Sequence, residues 1–244
     1  MSISHTSSLP LTVMDSEISE HPLDNVIWAA LTSQHGSFAS GKQGARRYPV
    51  QVAPFAAMPK PSPENFAALA ELLTAQDQVA LFTAEPLVPP ECFELVARKT
   101  LLQMVGPATR SAIHAPHIAA LGAADVTDML ALIELAQPGP FSTRTRELGN
   151  YLGIRVDGQL AAMAGERLHL DGYTEISAVC AHPASRGRGY PKDLIVTLSN
   201  AILERGEIPF LHVLKENLSA IALYEKLGFA VRRPIHLTLL RLAT

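Results

Sequence analysis

In the second half of the chain the spacing of apolar positions changes several times, and each change marks an element. Tyr151 to Val156 and Gln159 to Leu168 read as strands joined by Asp157-Gly158, a two-residue hairpin signal. Asp171-Gly172 marks a second hairpin and delivers the chain into Glu175–Ala181, which is apolar at nearly every position. From Pro191 to Leu203 the pattern becomes that of an amphipathic helix, ended by Gly206. Phe210 to Leu214 reads as a buried strand, Asn217 to Leu227 as a short helix closed by Gly228, and Phe229–Arg232 with His236–Leu240 as a final strand pair. Ahead of these, Ile118–Leu121 is a candidate strand. Asp125 is placed to cap a helix that buries Val126, Met129, Leu130, Leu132 and Ile133.

The first half alternates in the same way with weaker punctuation. Asp24 is expected to cap a helix over Val26–Leu31, after a loose Ser/Thr-rich arm from Met1 to His21. Arg47–Ala56 reads as one or two short strands, with Pro49 and Pro54 arguing for edge positions. Ser62-Pro63 starts a helix with Phe66, Leu69, Ala70, Leu72 and Leu73 as its stripe. Val79–Thr83 and Leu101–Val105 read as separate short strands, with Phe93–Val96 ambiguous. The turn-rich stretch from Gly106 to Pro116 suggests a division near Ala112. Residues 1–112 then form an α/β segment without catalytic motifs, and residues 113–244 form a unit with a mixed sheet.

Composition narrows the class. Of 244 residues 48% are hydrophobic, enough for a substantial core. The net charge of −3 gives no global drive toward nucleic acid. Two cysteines, Cys92 and Cys180, permit one bridge at most and point to a reducing compartment. No signal sequence or membrane-length apolar run is apparent, so a soluble cytoplasmic protein is expected.

The chemistry concentrates in Ser185-Arg186-Gly187-Arg188-Gly189-Tyr190, between a strand and a helix. Free N–H groups at a helix start, glycines that let backbone approach closely, and two guanidinium groups together make a phosphate cradle. Other motif-like stretches carry less. Gly36 to Lys42 spells most of a phosphate-binding Walker loop, but Gln43 replaces the required hydroxyl and no strand-loop-helix context surrounds it. His114 and His117 have no third ligand at useful spacing, so no metal is expected. Cys180 has no partner spaced to activate it as a nucleophile.

The order of elements, Arg186-x-x-Gly189, and Asn217…Ala222-x-Tyr224-Glu225-x-x-Gly228-Phe229 together resemble the GNAT N-acetyltransferases. The run Glu175–Pro183 resembles their FR47-like branch, and the likeness covers roughly residues 113–244. The resemblance implies an α/β fold with a mixed, mostly antiparallel central sheet flanked by helices. It makes the first half a candidate worn second copy of that fold. It implies acetyl-CoA as co-substrate, without a metal, and transfer of acetyl to a primary amine of a small molecule or amino acid. A peptide N-terminal acetyltransferase and a non-catalytic acyl-CoA sensor are the alternatives. Nucleic acid and membrane are not expected partners, and a homodimer is compatible with the family.

By the same resemblance Glu175, eleven positions before Arg186, is the general base. It is expected to be partly desolvated with a raised pKa. Tyr224 is the acid for the departing thiolate. Coenzyme A is expected to lie along the backbone of Val179, Cys180 and Ala181, with its pyrophosphate at Arg186, Gly187, Arg188, Gly189 and Tyr190, and Asn217 near the pantetheine. Pro191 departs from the family pattern and removes one possible N–H donor.

Overall fold

The computed structural model describes residues 21–112 and 118–243. Eleven strands and five α-helices are formed among them. Three two-residue strands, β1 (Ser40–Gly41), β2 (Arg46–Arg47) and β3 (Ala56–Ala57), make a small antiparallel sheet. The remaining strands are β4 (Val79–Thr83), β5 (Phe93–Val105), β6 (Ile118–Ala120), β7 (Tyr151–Val156), β8 (Gln159–Leu170), β9 (Tyr173–Ala181), β10 (Ile208–Leu214) and β11 (Ala230–Leu242). They form one eight-stranded sheet in the order β4-β11-β5-β10-β9-β8-β7-β6. The helices are α1 (Val26–Thr32), α2 (Pro63–Ala70), α3 (Val126–Ala136), α4 (Tyr190–Glu204) and α5 (Leu218–Lys226).

The large sheet crosses the division expected near Ala112. Strand β5 lies between β10 and β11 and bonds antiparallel to both, while β4 extends the sheet beyond β11. The first half therefore supplies strands to the same sheet as the second half and does not build a second copy beside it. The expected separation of Phe93–Val96 from Leu101–Val105 is also replaced, by one 13-residue strand. Its exposed middle, around Arg98 and Lys99, breaks the apolar pattern without breaking the ladder to β11. Strand β11 is likewise continuous through Pro234, because a bulge between Val231 and Arg233 absorbs the irregularity.

Local signals mostly hold. Asp157 and Gly158 both take positive φ, 50° and 80°, as a two-residue hairpin requires. Ser62 Oγ accepts from the Asn65 N–H at 3.3 Å and caps α2. Gly206 closes α4 in a Schellman turn, with Gly206 N–H donating to Leu203 O and Glu207 N–H to Ile202 O. Asp24 does not cap α1. It sits in a 3-10 turn (Pro22–Asn25) and binds Arg232 and Arg233 of β11 instead.

Two apolar clusters sandwich the middle of the sheet. On one face α4 and α5 bury Leu194, Leu198, Ile202 and Tyr224 against Met104, Ile176, Leu211 and Val213. On the other, Leu23, Ile27, Leu31, Tyr48 and Phe55 pack on Leu168, Phe210 and Ile235. His35 fastens this cover from below. Its Nε2 lies 3.1 Å from Leu148 O, which can only accept, so Nδ1 accepts from the Tyr48 hydroxyl at 2.8 Å.

Burial, with a smaller push from His169, outweighs the Leu148 bond and lowers the His35 pKa from 6.5 to about 4. The neutral ring's stabilisation is then complete above pH 6.5 and lost as pH falls toward 4. Its full value is roughly 3 kcal/mol. Thermal melts of wild type should decline across that window, and His35→Gln should start lower and be flatter there.

Candidate active site

The stretch from β9 into α4 is an open, glycine-containing loop that leads into a helix start. Gly187 and Gly189 adopt φ of 76° and 80°, which side chains disfavour, and nothing lies within 4 Å of where a Cβ would stand on either. Backbone conformation, not crowding, thus requires these glycines, and it leaves the loop open to a ligand. Among the described residues the N–H groups of Gly187, Arg188 and Gly189 have no protein acceptor, and Arg186 and Arg188 are exposed without ion-pair partners. Pro191 is the second residue of α4, where its missing N–H costs the helix nothing.

Next to this loop the sheet opens. Strands β9 and β10 form the one parallel pairing among the described strands of the large sheet. They pair only at Tyr173↔Ile208, Thr174↔Pro209 and Glu175↔Phe210. Beyond Glu175 and Phe210 they diverge, and β10 stays with β5 through Leu214 while β9 stays with β8 through Ala181. The facing edges of 176–181 and 211–214 thereby lack ladder partners. A bulge shapes the β9 edge: Ala178 and Val179 lie between the pairs Ser177↔Gly165 and Cys180↔Met163. Ala178 has φ of 52°, a strained conformation for a residue with a Cβ. The loop sits at the open end of this wedge.

The candidate side chains distribute around the wedge unequally. Val179 and Ala181 of β9, Val213 of β10, Tyr190 and Tyr224 join one apolar cluster, so Tyr224 stands over both arms. Burial pushes the Tyr224 hydroxyl up to about 12, and among the described residues it makes no hydrogen bond. Cys180 points to the opposite face, into a cluster with Met129, Met163 and Tyr151. Its thiol is pushed up to about 12 by burial, so it is inert as a nucleophile. Asn217 caps α5, its Oδ1 accepting from the Ala220 N–H at 3.2 Å.

Glu175 departs from expectation. It stands at the point of divergence with 0% exposure. Arg167 of β8 grips it bidentately, Nε to Oε2 at 2.8 Å and Nη2 to Oε1 at 2.7 Å. His212 Nδ1 lies 2.7 Å from Oε1. Burial alone would raise the carboxyl's pKa, but the Arg167 charge and these bonds overcome it and hold the group near 2. The raised pKa expected of a base is thus replaced by a lowered one, for a reason the sequence does not display: a cation fixed against the carboxylate.

Residues 151–236 match the family described as FR47-like protein. A crystal structure of a GNAT-family protein from Novosphingobium aromaticivorans is 39% identical. The match covers 92% of this chain and 100% of that one, with a TM-score of 0.87. The chain belongs to the GNAT family of acyltransferases. Two remoter structures share the GNAT fold. A GCN5-related N-acetyltransferase from Kribbella flavida is 17% identical over 86% of this chain and 95% of its own, with a TM-score of 0.57. A GCN5-related N-acetyltransferase-like protein from Streptococcus suis is 14% identical over 88% and 93%, with a TM-score of 0.55. No curated protein matches the sequence.

In this GNAT chain the wedge-side residues that sequence reasoning missed are Arg167, His212 and Gln103. Gln103 and His212 are polar residues inside apolar strand runs, Arg167 stands beside Glu166 in a strand that is buried almost throughout, and a buried polar group needs a partner. That signal was available, although it does not say which residues pair. Gln103 Nε2 donates to Leu23 O at 2.8 Å and faces His212 Nε2 at 3.1 Å, so the His212 proton sits on Nδ1 toward Glu175. Gln103 Oε1 accepts from Arg232.

The Walker-like stretch forms a 3-10 turn and β1, without a following helix, and His114 and His117 lie outside the described residues. Among the described residues no group of three or more metal-ligating side chains is gathered, and no helix is long and apolar enough to cross a membrane. A groove of about 460 Å³ beside β5 and β11, lined by Arg98, Lys99 and His236, touches β10 only at Leu214 and includes none of the expected site residues.

Glu175→Gln should leave the Arg167 charge buried and unmatched, costing about 3–5 kcal/mol. Chemical denaturation should show this loss. The double change Arg167→Met with Glu175→Leu should recover most of it.

Proposed function

We propose that this GNAT enzyme transfers an acetyl group from acetyl-CoA to a primary amine of a small molecule or amino acid. The observation that supports this best is the wedge between β9 and β10, with an open, donor-rich loop and a helix N-terminus at its mouth. The free N–H groups and the guanidinium groups of Arg186 and Arg188 suit a pyrophosphate. The edge of Val179, Cys180 and Ala181 that faces β10 suits the amides of a pantetheine, and Asn217, three residues past the end of β10, is assigned to the pantetheine as well while it caps α5.

Acetyl-CoA, when bound, supplies an activated thioester: attack by the neutral amine forms the C–N bond, the C–S bond breaks to release the thiolate, and the proton that nitrogen loses as the amide forms passes to water. Tyr224 is neutral at ordinary pH and serves as a hydrogen-bond donor to the developing thiolate. Full proton transfer from a group near 12 to a thiolate of ordinary basicity, about 8.5, is uphill. Glu175 is not the base in this reading, because a carboxylate held near 2 is a poor proton acceptor. It fixes Arg167 and His212 at the wedge, and the ammonium gives its proton to water before attack.

The reading is tested by following thiol release from acetyl-CoA against benzylamine, n-hexylamine, glycinamide and an alanine-led tetrapeptide. Turnover on the first three supports small-amine transfer. Turnover on the tetrapeptide alone supports peptide acetylation, and coenzyme A binding without any turnover supports a sensor.

With water as proton acceptor, kcat/KM for the amine should rise about tenfold per pH unit from pH 6 to 9 until the amine's own pKa is reached. A plateau near pH 7 would instead require a protein base. Tyr224→Phe should lower kcat at least about tenfold while KM for acetyl-CoA moves little.

A further inference from the structure

Tyr151 carries a hydroxyl that the fold does not use. It opens β7, is 2% exposed, and its oxygen is buried without any hydrogen-bond partner. A buried phenol without a partner costs free energy that phenylalanine would not. Its ring direction is fixed by its neighbour. Tyr151 pairs with Gly165 on β8, and a Cβ on Gly165 would lie 2.2 Å from Tyr151 Cδ1 and 2.3 Å from Cε1. The ring therefore lies across Gly165, which must be glycine for that reason. A phenol is longer than the ~4.8 Å between strands, so its hydroxyl passes β8 toward β9. Gly165 pairs there with Ser177, immediately before the bulge and two residues past Glu175.

The charges of Arg167 and Glu175 both reach the phenol, and Ala178 packs in the same cluster. Arg167 and Glu175 are committed to each other, and Glu166, whose charge also reaches the phenol, is committed to Asn150 and Arg205, so none of the three meets the hydroxyl's need. Phe141 stands edge-on to the ring, 5.6 Å between centroids, on the exposed stretch that follows α3.

We propose that the Tyr151 hydroxyl binds the acceptor amine, accepting a hydrogen bond from its N–H on the sheet face opposite α4 and α5, with Phe141 displaced as the amine enters. This rests on the acetyl-transfer reading above. A neutral phenol oxygen directed toward Ser177, two positions past the divergence of β9 from β10, would orient the nitrogen lone pair toward a thioester held in the wedge. The orphaned hydroxyl then has its partner only when the acceptor is present.

The test is Tyr151→Phe, with Tyr48→Phe as its control, assayed with acetyl-CoA and the amine from the panel that wild type uses best. Tyr151→Phe should melt at the same temperature as wild type or higher, lose about tenfold or more in kcat/KM for the amine, and keep its Kd for coenzyme A. Tyr48→Phe, whose hydroxyl bonds His35, should melt lower and retain kcat/KM. Wild-type turnover together with a Tyr151→Phe variant within twofold of wild type would overturn this inference alone. A lowered melting temperature for Tyr151→Phe would also overturn it, since the hydroxyl would then be paired within the protein. Absence of wild-type turnover on every amine would sink the acetyl-transfer reading, and this inference with it.

Discussion

The ion pair between Arg167 and Glu175 sets the terms for the middle of the sheet. Removing two charges from water costs several kcal/mol for each ion, and their attraction compensates only when the remaining hydrogen-bonding capacity is filled. Here it is filled in series: Glu175 to His212, His212 to Gln103, Gln103 to Arg232, and Arg232 to Asp24 at 2.8 Å. The series draws on β8, β9, β10, β5 and β11 and ends in the 3-10 turn before α1. Such a pair contributes little net stability against an apolar alternative, but it is strict about position. Strands β9 and β10 share only three rungs, too few to fix their register by backbone bonding alone. A slip of one residue would turn Glu175 to the other face and leave the guanidinium buried alone.

The faces of the sheet divide the remaining work. The α4–α5 side is apolar and holds Tyr190 and Tyr224 against both arms of the wedge. The opposite side is polar at its centre and covered by residues between Leu23 and Ala57, with Arg167 stacked over Phe55 at 5.0 Å. The wedge thus opens between an apolar wall and a buried ionic one. A bulge at Ala178 and Val179 interrupts the ladder to β8 along the arm that β9 contributes to the wedge.

What could be read in the sequence was what is local. The glycines of the loop, the Asp157-Gly158 turn, the Ser62 and Asn217 caps and the end of α4 at Gly206 depend on a few neighbouring residues, and the structure keeps them all. Glu175 could not be read, because a glutamate in an apolar run looks alike whether it is solvated at a strand end or clasped by an arginine eight residues earlier. The extent of β5 was hidden for a related reason. Its outward-facing middle is polar, and its continuity is enforced by β11, whose register with it pairs Phe93 with Leu242 and Val105 with Ala230. Asp24 illustrates the same competition: a good cap by type, it is drawn away by two arginines more than two hundred residues later.

The place of β5 carries a consequence for how the chain is made. Its two neighbours, β10 and β11, begin at Ile208 and Ala230, over a hundred residues downstream. As the polypeptide leaves the ribosome, β5 emerges with both edges bare and must wait for most of the remaining chain before either is covered. Contacts of such long sequence separation slow folding and prolong the exposure of unpaired edges. The sheet closes from its middle last, so the wedge that distinguishes the mature protein is among the final features its synthesis can complete.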